Sequence, residues 1–160
     1  MRFVANMENQ EMMDGYLHYA INIQKRNNKN KMLKIKTYLE KSKLIPEAGI
    51  GLFADEDIKE GQIIWSKDEE LDITFTEENF QLLDESQKEF FKKYCYKENG
   101  EYIFCIDNGR FLNHSEEINN TLEIYQKSIA KRNITKGEEI ICNYKEMGTT
   151  KEDEECNISF

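Results

Sequence analysis

The chain has 160 residues, of which 39% are hydrophobic and 33% charged, so it is long enough for one folded domain with a core. Its formal net charge of −9 argues against direct binding to nucleic acid as its main role. No apolar run approaches the roughly 18 residues that span a bilayer, and the N-terminus lacks the pattern of a secretory signal. We therefore expect a cytoplasmic or nuclear protein without a membrane contact.

The domain is expected to begin after a distinct N-terminal segment. Residues 1–31 are rich in Met, Asn and Gln and end in the polar stretch KRNNKNK, which indicates an accessory segment that is weakly helical or disordered. We expect no chemical role for His18, and Met32 could serve as an alternative translation start. Residues 32–147 are then the folded domain, and residues 148–160 a C-terminal tail.

The first part of this domain has the pattern of β-strands. MLKIKTYL (32–39) alternates apolar and polar residues, as a half-buried strand does. EAGIGLFA (47–54) places two glycines around Ile50 before an apolar run. DIKEGQIIW (57–65) combines a Glu-Gly turn with a further strand.

Two short helices are predicted next. Thr76, followed by two glutamates, has the features of a helix start. SQKE (86–89) matches a capping box for the second helix. That helix would place three aromatic side chains on one face, those of Phe90, Phe91 and Tyr94.

The C-terminal half returns to β structure. YCYKENGEYIFCI (94–106) predicts a hairpin, because Asn-Gly is a strong two-residue turn signal. LEIYQKSIA (122–130) is predicted to be one strand. NITKGEEIICNY (133–144) predicts a Lys-Gly turn and a last strand that ends near Tyr144. Many short strands with few helices indicate a mostly β fold with a short helical insert.

The charge is unevenly distributed along the chain. DEELDITFTEENFQLLDE (68–85) contains eight acidic residues and no basic ones. A solvated face is the simpler interpretation. The alternative is an electrostatic guide for a basic ligand such as a lysine-rich peptide.

The four cysteines are far apart and include no C-x-x-C pair: Cys95, Cys105, Cys142 and Cys156. This spacing supports neither a zinc site nor a disulfide framework, so we expect reduced thiols and no metal.

Three short motifs are each weak signals by themselves. GIG (49–51) indicates a loop with unusual backbone angles, and it is not a dinucleotide-binding fingerprint because no G-x-G-x-x-G follows. NHS (113–115) could be a turn with a satisfied histidine. GEEIICNY (137–144) alone is an ordinary turn and strand.

In their order and spacing the motifs carry a resemblance. GIGLFADEDIKEG, RFLNHSEEIN and KGEEIICNY together resemble the three signatures of the SET domain, the family of S-adenosylmethionine-dependent protein lysine methyltransferases. The similarity covers roughly residues 33–147 and is greatest to short stand-alone members without pre-SET or post-SET zinc modules. It implies a β-clip fold of small sheets, with the NHS segment threaded in a knot-like way beneath a C-terminal loop.

The resemblance also implies the site residues. The chain segments that would hold S-adenosylmethionine supply Gly49, Ile50, Gly51, Arg110, Phe111, Asn113 and His114. Tyr144 matches the family's catalytic tyrosine. Tyr94 would be the tyrosine of the lysine channel, with Tyr96 and Tyr102 as competing candidates.

The chemistry of methyl transfer defines what such a site must do. The amine must be neutral, although a free lysine has a pKa of about 10.4, and a narrow apolar channel disfavours the charged form. Aromatic side chains such as Phe111 could line that channel. We expect Tyr144 to position the amine rather than act as a base, because a free phenol has a pKa of about 10.

Three departures from the family pattern are visible. Glu116 stands where many members have a zinc-binding cysteine, so we expect no zinc-bound C-terminal lid. Ile118 replaces a proline. Cys142 replaces an aromatic residue two positions before Tyr144, which should leave more room for higher methylation states.

The resemblance thus implies a lysine methyltransferase that acts on a basic protein or peptide, and leaves a homodimer open. The alternative is a SET-like scaffold or binding module that has lost turnover. A third interpretation is a β-rich sugar- or nucleotide-binding module with chance motifs.

Overall fold

The computed structural model describes residues 32–148 and 152–153. The predicted N-terminal segment with His18, and nearly all of the predicted tail with Cys156, lie outside these residues. Across the described part of the chain, no helix is both long and apolar enough to cross a membrane.

The described residues form ten short strands. They are β1 (Thr37–Lys41), β2 (Ile50–Ala54), β3 (Ile63–Ser66), β4 (Ile73–Phe75), β5 (Cys95–Glu98), β6 (Glu101–Phe104), β7 (Asn113–His114), β8 (Thr121–Glu123), β9 (Lys127–Ala130) and β10 (Glu139–Cys142). Two helices, α1 (Glu77–Gln81) and α2 (Glu85–Tyr94), lie between β4 and β5. Single 3-10 turns occupy Pro46–Ala48, Asn108–Phe111 and Tyr144–Met147. The predicted mostly β fold with a short helical insert is confirmed.

The strands are arranged in three small sheets. The first has the order β1-β2-β10-β7, the second β3-β9-β8 and the third β4-β6-β5. Nearly all neighbours are antiparallel, but β7 pairs with β10 in parallel, Asn113 opposite Ile141 and His114 opposite Cys142. This pairing brings the second and third motifs side by side.

The main core is built from the first two sheets. Leu52 of β2 and Ile140 of β10 pack with Ile64 of β3 and Ala130 of β9, and all four are nearly inaccessible to solvent. The helical insert has its own aromatic cluster, in which Phe80 stacks on Tyr102 with ring centroids 4.5 Å apart. The insert is therefore fixed to the third sheet by aromatic packing.

Two local predictions are confirmed. Asn99 and Gly100 join β5 to β6, with Glu98 opposite Glu101, and both turn residues have positive φ, 52° and 77°. Thr76 caps α1, because its hydroxyl accepts a hydrogen bond from the Asn79 amide at 3.4 Å.

The predicted capping box of the second helix is wrong by two residues. Asp84, not Ser86, is the N-cap: its carboxylate accepts from the Gln87 amide at 2.8 Å, and the Gln87 side chain accepts from the Asp84 amide at 3.0 Å. Ser86 lies inside the helix and donates to the Asp84 carboxylate. A carboxylate near the positive end of the helix is the stronger cap.

The predicted single strand at 122–130 is also wrong. It is a hairpin, β8 and β9, with a tight turn at Tyr125 and Gln126, where no Gly or Asn signals a reversal. The predicted first strand is shorter than expected, since β1 begins at Thr37.

The side chain of Asn120 bonds to the backbone of β10 in the way that a neighbouring strand would. Its side chain accepts from the Ile141 amide at 2.9 Å and donates to the Glu139 carbonyl at 2.8 Å, and the residue is fully buried. The amide side chain therefore satisfies two backbone groups that would otherwise be buried without partners.

We expect Asn120→Ala to lower the free energy of unfolding by about 3 kcal/mol, because two buried backbone groups lose their partners. Asn119→Ala, which removes bonds at the surface, should cost less than about 1 kcal/mol. Urea denaturation of both variants checks this, and equal losses would contradict the role given to Asn120.

Candidate functional site

A cavity of about 1130 Å³ lies where the three motifs meet. Gly49 and Ile50 of the first motif, Asn113 and His114 of the second, and Tyr144 of the third all line it. The structure therefore brings together residues that are up to 95 positions apart in the sequence.

A buried carboxylate holds these motifs in place. Glu139, 3% exposed, accepts hydrogen bonds from the Ser42 hydroxyl at 2.7 Å and from the Asn113 side-chain amide at 3.2 Å. Its second oxygen accepts from the backbone amides of Lys43, at 3.0 Å, and Leu44, at 3.2 Å. Four donors stabilise the charge that burial alone would penalise.

Gly51 makes room for this carboxylate. A Cβ atom at Gly51 would lie 2.9 Å from Cδ of Glu139 and 3.2 Å from Nδ2 of Asn113. Asn113 in turn donates to the carbonyl of Ile50 at 3.1 Å. The resemblance placed Gly51 in the segment that would hold the cofactor, but the space beside Gly51 is occupied by Glu139. Gly49 differs, because its φ of +82° favours glycine.

His114 and Tyr144 are coupled directly. The backbone amide of Tyr144 donates to Nδ1 of His114 at 3.0 Å, and the ring centroids are 5.0 Å apart. Burial lowers the pKa of His114, which agrees with a neutral ring that accepts at Nδ1.

The phenol of Tyr144 is fixed and protonated. Its hydroxyl donates to the carbonyl of Leu112 at 2.7 Å. Burial raises its pKa well above the ordinary value for tyrosine. This hydroxyl can therefore orient a neighbouring group, but it is not a proton acceptor at neutral pH.

Arg110, Phe111 and Tyr94 form a stack along the cavity wall. The Arg110 guanidinium lies 4.8 Å from the Phe111 ring centroid and donates to the carbonyls of Ile106 and Asp107. The Tyr94 ring meets Phe111 edge to face, with centroids 5.8 Å apart. All three line the cavity.

The competing tyrosines have different positions. Tyr96 lines the cavity beside Tyr94, and its hydroxyl is buried without a hydrogen-bond partner among the described residues. Tyr102 is a core residue of the aromatic cluster, and its hydroxyl donates to Glu77 at 2.9 Å. Tyr102 is therefore outside the site, and Tyr96 is within it.

A row of side chains across the second sheet forms part of the cavity lining. Trp65 lies opposite Ser128, and Ser128 lies opposite Glu123, so the three point to one face. Trp65 is 5% exposed, and in the part of the chain that the structure describes its indole N–H has no hydrogen-bond partner. It packs edge to face on Tyr96, with centroids 6.4 Å apart. Two unsatisfied polar groups thus border the same space, as in a site that takes a ligand or water.

Glu123 has a perturbed carboxyl group. It accepts from the hydroxyls of Ser128, at 2.5 Å, and Thr121, at 2.7 Å. Burial raises the pKa of Glu123 to about 7, and the neighbouring Glu146 carboxylate acts in the same direction.

Charged side chains of both signs line the cavity. On the side of α2 they are Glu89, Lys92 and Lys93, and near the β8–β9 hairpin they are Glu98, Lys127 and Glu146. Such a cavity can bind a zwitterionic or mixed-charge set of ligands.

Glu116, which stands where the family pattern has a zinc-binding cysteine, forms an ion pair instead. Its carboxylate lies 2.7 Å from Nζ of Lys145, the residue after Tyr144. The pair is partly exposed and so contributes little stability, but it links the second motif to the third. Among the described residues, no group of three or more His, Cys, Asp or Glu side chains could hold a metal ion.

The space expected beside Cys142 is not open. Its side chain is fully buried, and the thiol faces the backbone carbonyls of Leu112 and Asn113. The proposed link to methylation state stays a prediction.

The family assignment follows from a match to the SET domain model over residues 49–145, well over half of the chain. This chain belongs to the SET domain family. The match includes all three motifs, and the resemblance found in the sequence is confirmed. Comparison with curated proteins finds no match.

Solved structures share this SET fold. A chain of an active polycomb repressive complex 2 in the basal state is 24% identical, with a TM-score of 0.53, covering 74% of this chain and 16% of that chain. Chaetomium thermophilum Polycomb Repressive Complex 2 bound to GSK126 gives 22% identity and a TM-score of 0.54 over 69% of this chain and 16% of that chain. A further match is ctPRC2 in an autoinhibited conformation bound to S-adenosylmethionine, 23% identical with a TM-score of 0.53, covering 72% of this chain and 16% of that chain. At this identity the matches establish the fold, and this SET domain spans only about a sixth of those chains.

Sequence reasoning missed several residues of the site. Trp65 and Ser128 were seen only as strand residues, and Glu123 as part of a strand. The single tryptophan, next to a predicted turn and strand, was a usable signal. The register that places Glu123 beside Ser128 could not be predicted from the sequence, because the turn between β8 and β9 was not recognised.

We expect Gly51→Ala to destabilise the SET domain by about 2 kcal/mol or more, because the added methyl group must displace a carboxylate held by four donors. Urea denaturation measures the loss. Gly49→Ala, where a Cβ has open space but a positive φ, should cost about 1 kcal/mol. The same cost at both positions would contradict the contact with Glu139.

We expect Glu123 to make stability depend on pH. The folded state holds the Glu123 proton up to about pH 7 and the unfolded state only to about 4.5, so wild-type stability falls as pH rises between these values. Glu123→Gln should remove this slope. Between pH 4 and pH 8, its free energy of unfolding should therefore increase by up to about 3 kcal/mol relative to that of the wild type. Urea titrations across this range provide the measurement, and Glu117→Gln, an exposed site, controls for net charge. Parallel curves for wild type and Glu123→Gln would show that burial does not perturb this carboxyl group.

Proposed function

We propose that this SET domain transfers a methyl group from S-adenosylmethionine to the lysine side chain of a basic protein. One observation carries the proposal: Asn113, His114 and Tyr144, which match the family's site residues, line one cavity that also contains charged side chains of both signs. The site residues, the cofactor and the substrate class named below are all parts of this proposal.

The cavity fits the proposed cofactor. Its volume of about 1130 Å³ is ample for an adenosyl group, a methionine moiety and the end of a lysine side chain. Gly49, Ile50 and the Asn113–His114 segment all line its wall, where backbone groups would bind the cofactor. Lys92 and Lys93 suit the carboxylate of a methionine moiety. When bound, S-adenosylmethionine supplies an electrophilic methyl group on a positively charged sulfur.

The residues around the lysine end must keep the amine neutral and aligned. The aromatic rings of Tyr94, Tyr96 and Trp65 make this part of the cavity a poor environment for an ammonium ion. The amine nitrogen then uses its lone pair to form the new bond to carbon as the bond from carbon to sulfur breaks, and its extra proton passes to solvent. Alignment of these atoms is the main contribution that a protein can make to such a displacement.

Tyr144 is assigned a positioning role in this step. Its hydroxyl proton is directed to the Leu112 carbonyl at 2.7 Å, and a phenol oxygen that donates in this way can also accept a hydrogen bond from an amine or from polarised C–H groups of a methyl. Because its pKa is raised, Tyr144 contributes orientation and electrostatics rather than base catalysis.

A basic substrate is supported by charge. The chain has a net charge of −9, and Glu98 and Glu146 line the proposed substrate side of the cavity. An acidic surface attracts lysine-rich segments and speeds their association. Cytoplasmic or nuclear location and a homodimer stay predictions.

We expect Tyr144→Phe to reduce transfer of labelled methyl groups to proteins of a whole-cell lysate by about a hundredfold, through loss of the positioned hydroxyl. Asn113→Ala should reduce labelling and also weaken S-adenosylmethionine binding in calorimetry, since Asn113 holds the first motif. Tyr38→Phe on β1, where the ring stacks on Phe53, is the matched control and should label like the wild type.

Two results would revise the proposal. Equal labelling by the wild type, Tyr144→Phe and Asn113→Ala would remove the site assignment. Cofactor binding without any labelling would favour the inactive scaffold instead.

A further inference from the structure

Two hairpins of this SET domain have two-residue turns of the same type but very different sequences. Asn99 and Gly100 form the first, with φ of 52° and 77°. Tyr125 and Gln126 form the second, with φ of 45° and 59°. In the second turn the amides and carbonyls of Ile124 and Lys127 bond each other, at 2.9 and 3.1 Å, which closes the hairpin. Positive φ at both positions defines a type I′ turn, for which Asn-Gly is the favoured pair.

The second turn is therefore strained by its own side chains. A bulky residue with positive φ is uncommon, because its Cβ crowds the backbone. Gln126 has partners that compensate: its side chain donates to Glu98 at 2.8 Å, and its carbonyl accepts from the Lys67 amide at 2.9 Å. Tyr125 has no such compensation, since its side chain is 92% exposed and no hydrogen bond or ring contact joins it to the described residues.

The contacts of Gln126 hold the turn in a fixed place. They tie it to β5 through Glu98 and to the segment after β3 through Lys67. The Tyr125 ring is thus presented on a well-anchored turn, although it makes no hydrogen bond or ring contact with the described residues. Strain of this kind is characteristic of residues that serve an external contact.

The turn lies at the edge of the cavity. Ile124, Tyr125 and Lys127 line the cavity, together with Glu98 and Glu146. Neither carboxylate forms an ion pair with a lysine or arginine in the described part of the chain: Glu98 accepts from Gln126, and Glu146 from Asn143 and the Glu123 amide. An exposed aromatic ring at the edge of a cavity that two such carboxylates line is complementary to a cationic side chain.

We propose that Tyr125 is a specificity-determining residue, whose ring binds an arginine or lysine side chain that flanks the target lysine in a basic peptide. The inference rests on the proposed function for the identity of the target lysine. The observations behind it are the strained turn, the exposed ring and the carboxylates of Glu98 and Glu146 that line the same cavity. Cation–π contact supplies the attraction, and the rigid turn limits the entropy lost on binding.

The test uses variants that separate turn strain from substrate contact. Tyr125→Asn restores a favoured turn residue and removes the ring, whereas Tyr125→Phe keeps the ring. Leu82→Asn, at an 83% exposed position that does not line the cavity, controls for loss of an exposed apolar side chain. All are made in the full chain, and thermal unfolding is recorded for each.

The probes are fluorescein-labelled peptides with one central lysine in a Gly-Ser-Ala background, with one arginine placed in turn at each flanking position. An otherwise identical peptide without arginine is the reference. Fluorescence anisotropy measures binding in the presence of S-adenosylmethionine, and mass spectrometry measures methylation of the same peptides. Binding does not depend on turnover, so the two readouts are independent.

We expect the wild type to favour arginine at one flanking position, and Tyr125→Asn to lose about fivefold or more of that preference while its melting temperature rises. Tyr125→Phe and Leu82→Asn should keep the preference. A Tyr125→Asn variant that melts at a higher temperature but has lost the arginine preference cannot owe that loss to a damaged fold.

The outcomes distinguish this inference from the proposed function. Methylation with an arginine preference that Tyr125→Asn leaves unchanged would overturn the role of Tyr125 and leave the methyltransferase assignment standing. Tyr125-dependent binding without methylation would support the contact and count against the enzyme. Absence of any arginine preference in the wild type would also overturn the inference.

Discussion

The buried carboxylate of Glu139 accepts hydrogen bonds from the loop after β1 and from Asn113 of β7, and it fills the space left by Gly51 of β2. These segments are up to 97 residues apart in the sequence, and each carries part of a motif or borders one. A buried charge is tolerated only when its donors surround it, so the motifs must converge for the fold to be stable. The shape of the cavity is a consequence of that requirement.

On this frame the parallel pairing of β7 with β10 sets the chemistry. It places the His114 ring where Nδ1 accepts from the Tyr144 amide, and it brings the Tyr144 hydroxyl to the Leu112 carbonyl. Both side chains are then fixed in one protonation state, since burial lowers the pKa of the histidine and raises that of the tyrosine. The ion pair between Glu116 and Lys145 joins the same two segments at the surface. Glu116 is the residue that stands in place of a zinc-binding cysteine.

The charged and aromatic lining explains how one cavity could hold two ligands. Lysines of α2, carboxylates near the β8–β9 hairpin and several aromatic rings all line it. Much of this was predictable: the motif residues, the Asn99–Gly100 hairpin and the cap at Thr76 follow from local sequence preferences. The turn at Tyr125, the cap at Asp84 and the role of Asn120 were not, because each depends on partners that local preference does not specify.

The sequence by itself determined the mostly β class, the family and the candidate residues at 49–51, 110–114 and 144, because strand alternation, turn pairs and ordered motifs are written in neighbouring residues. Only the tertiary structure decided that Tyr96 lines the cavity while Tyr102 belongs to the core. It also decided that Glu123 has a pKa of about 7 and that an exposed tyrosine occupies a left-handed turn. Strand register and burial fix these properties, and both arise from contacts between residues far apart in the chain.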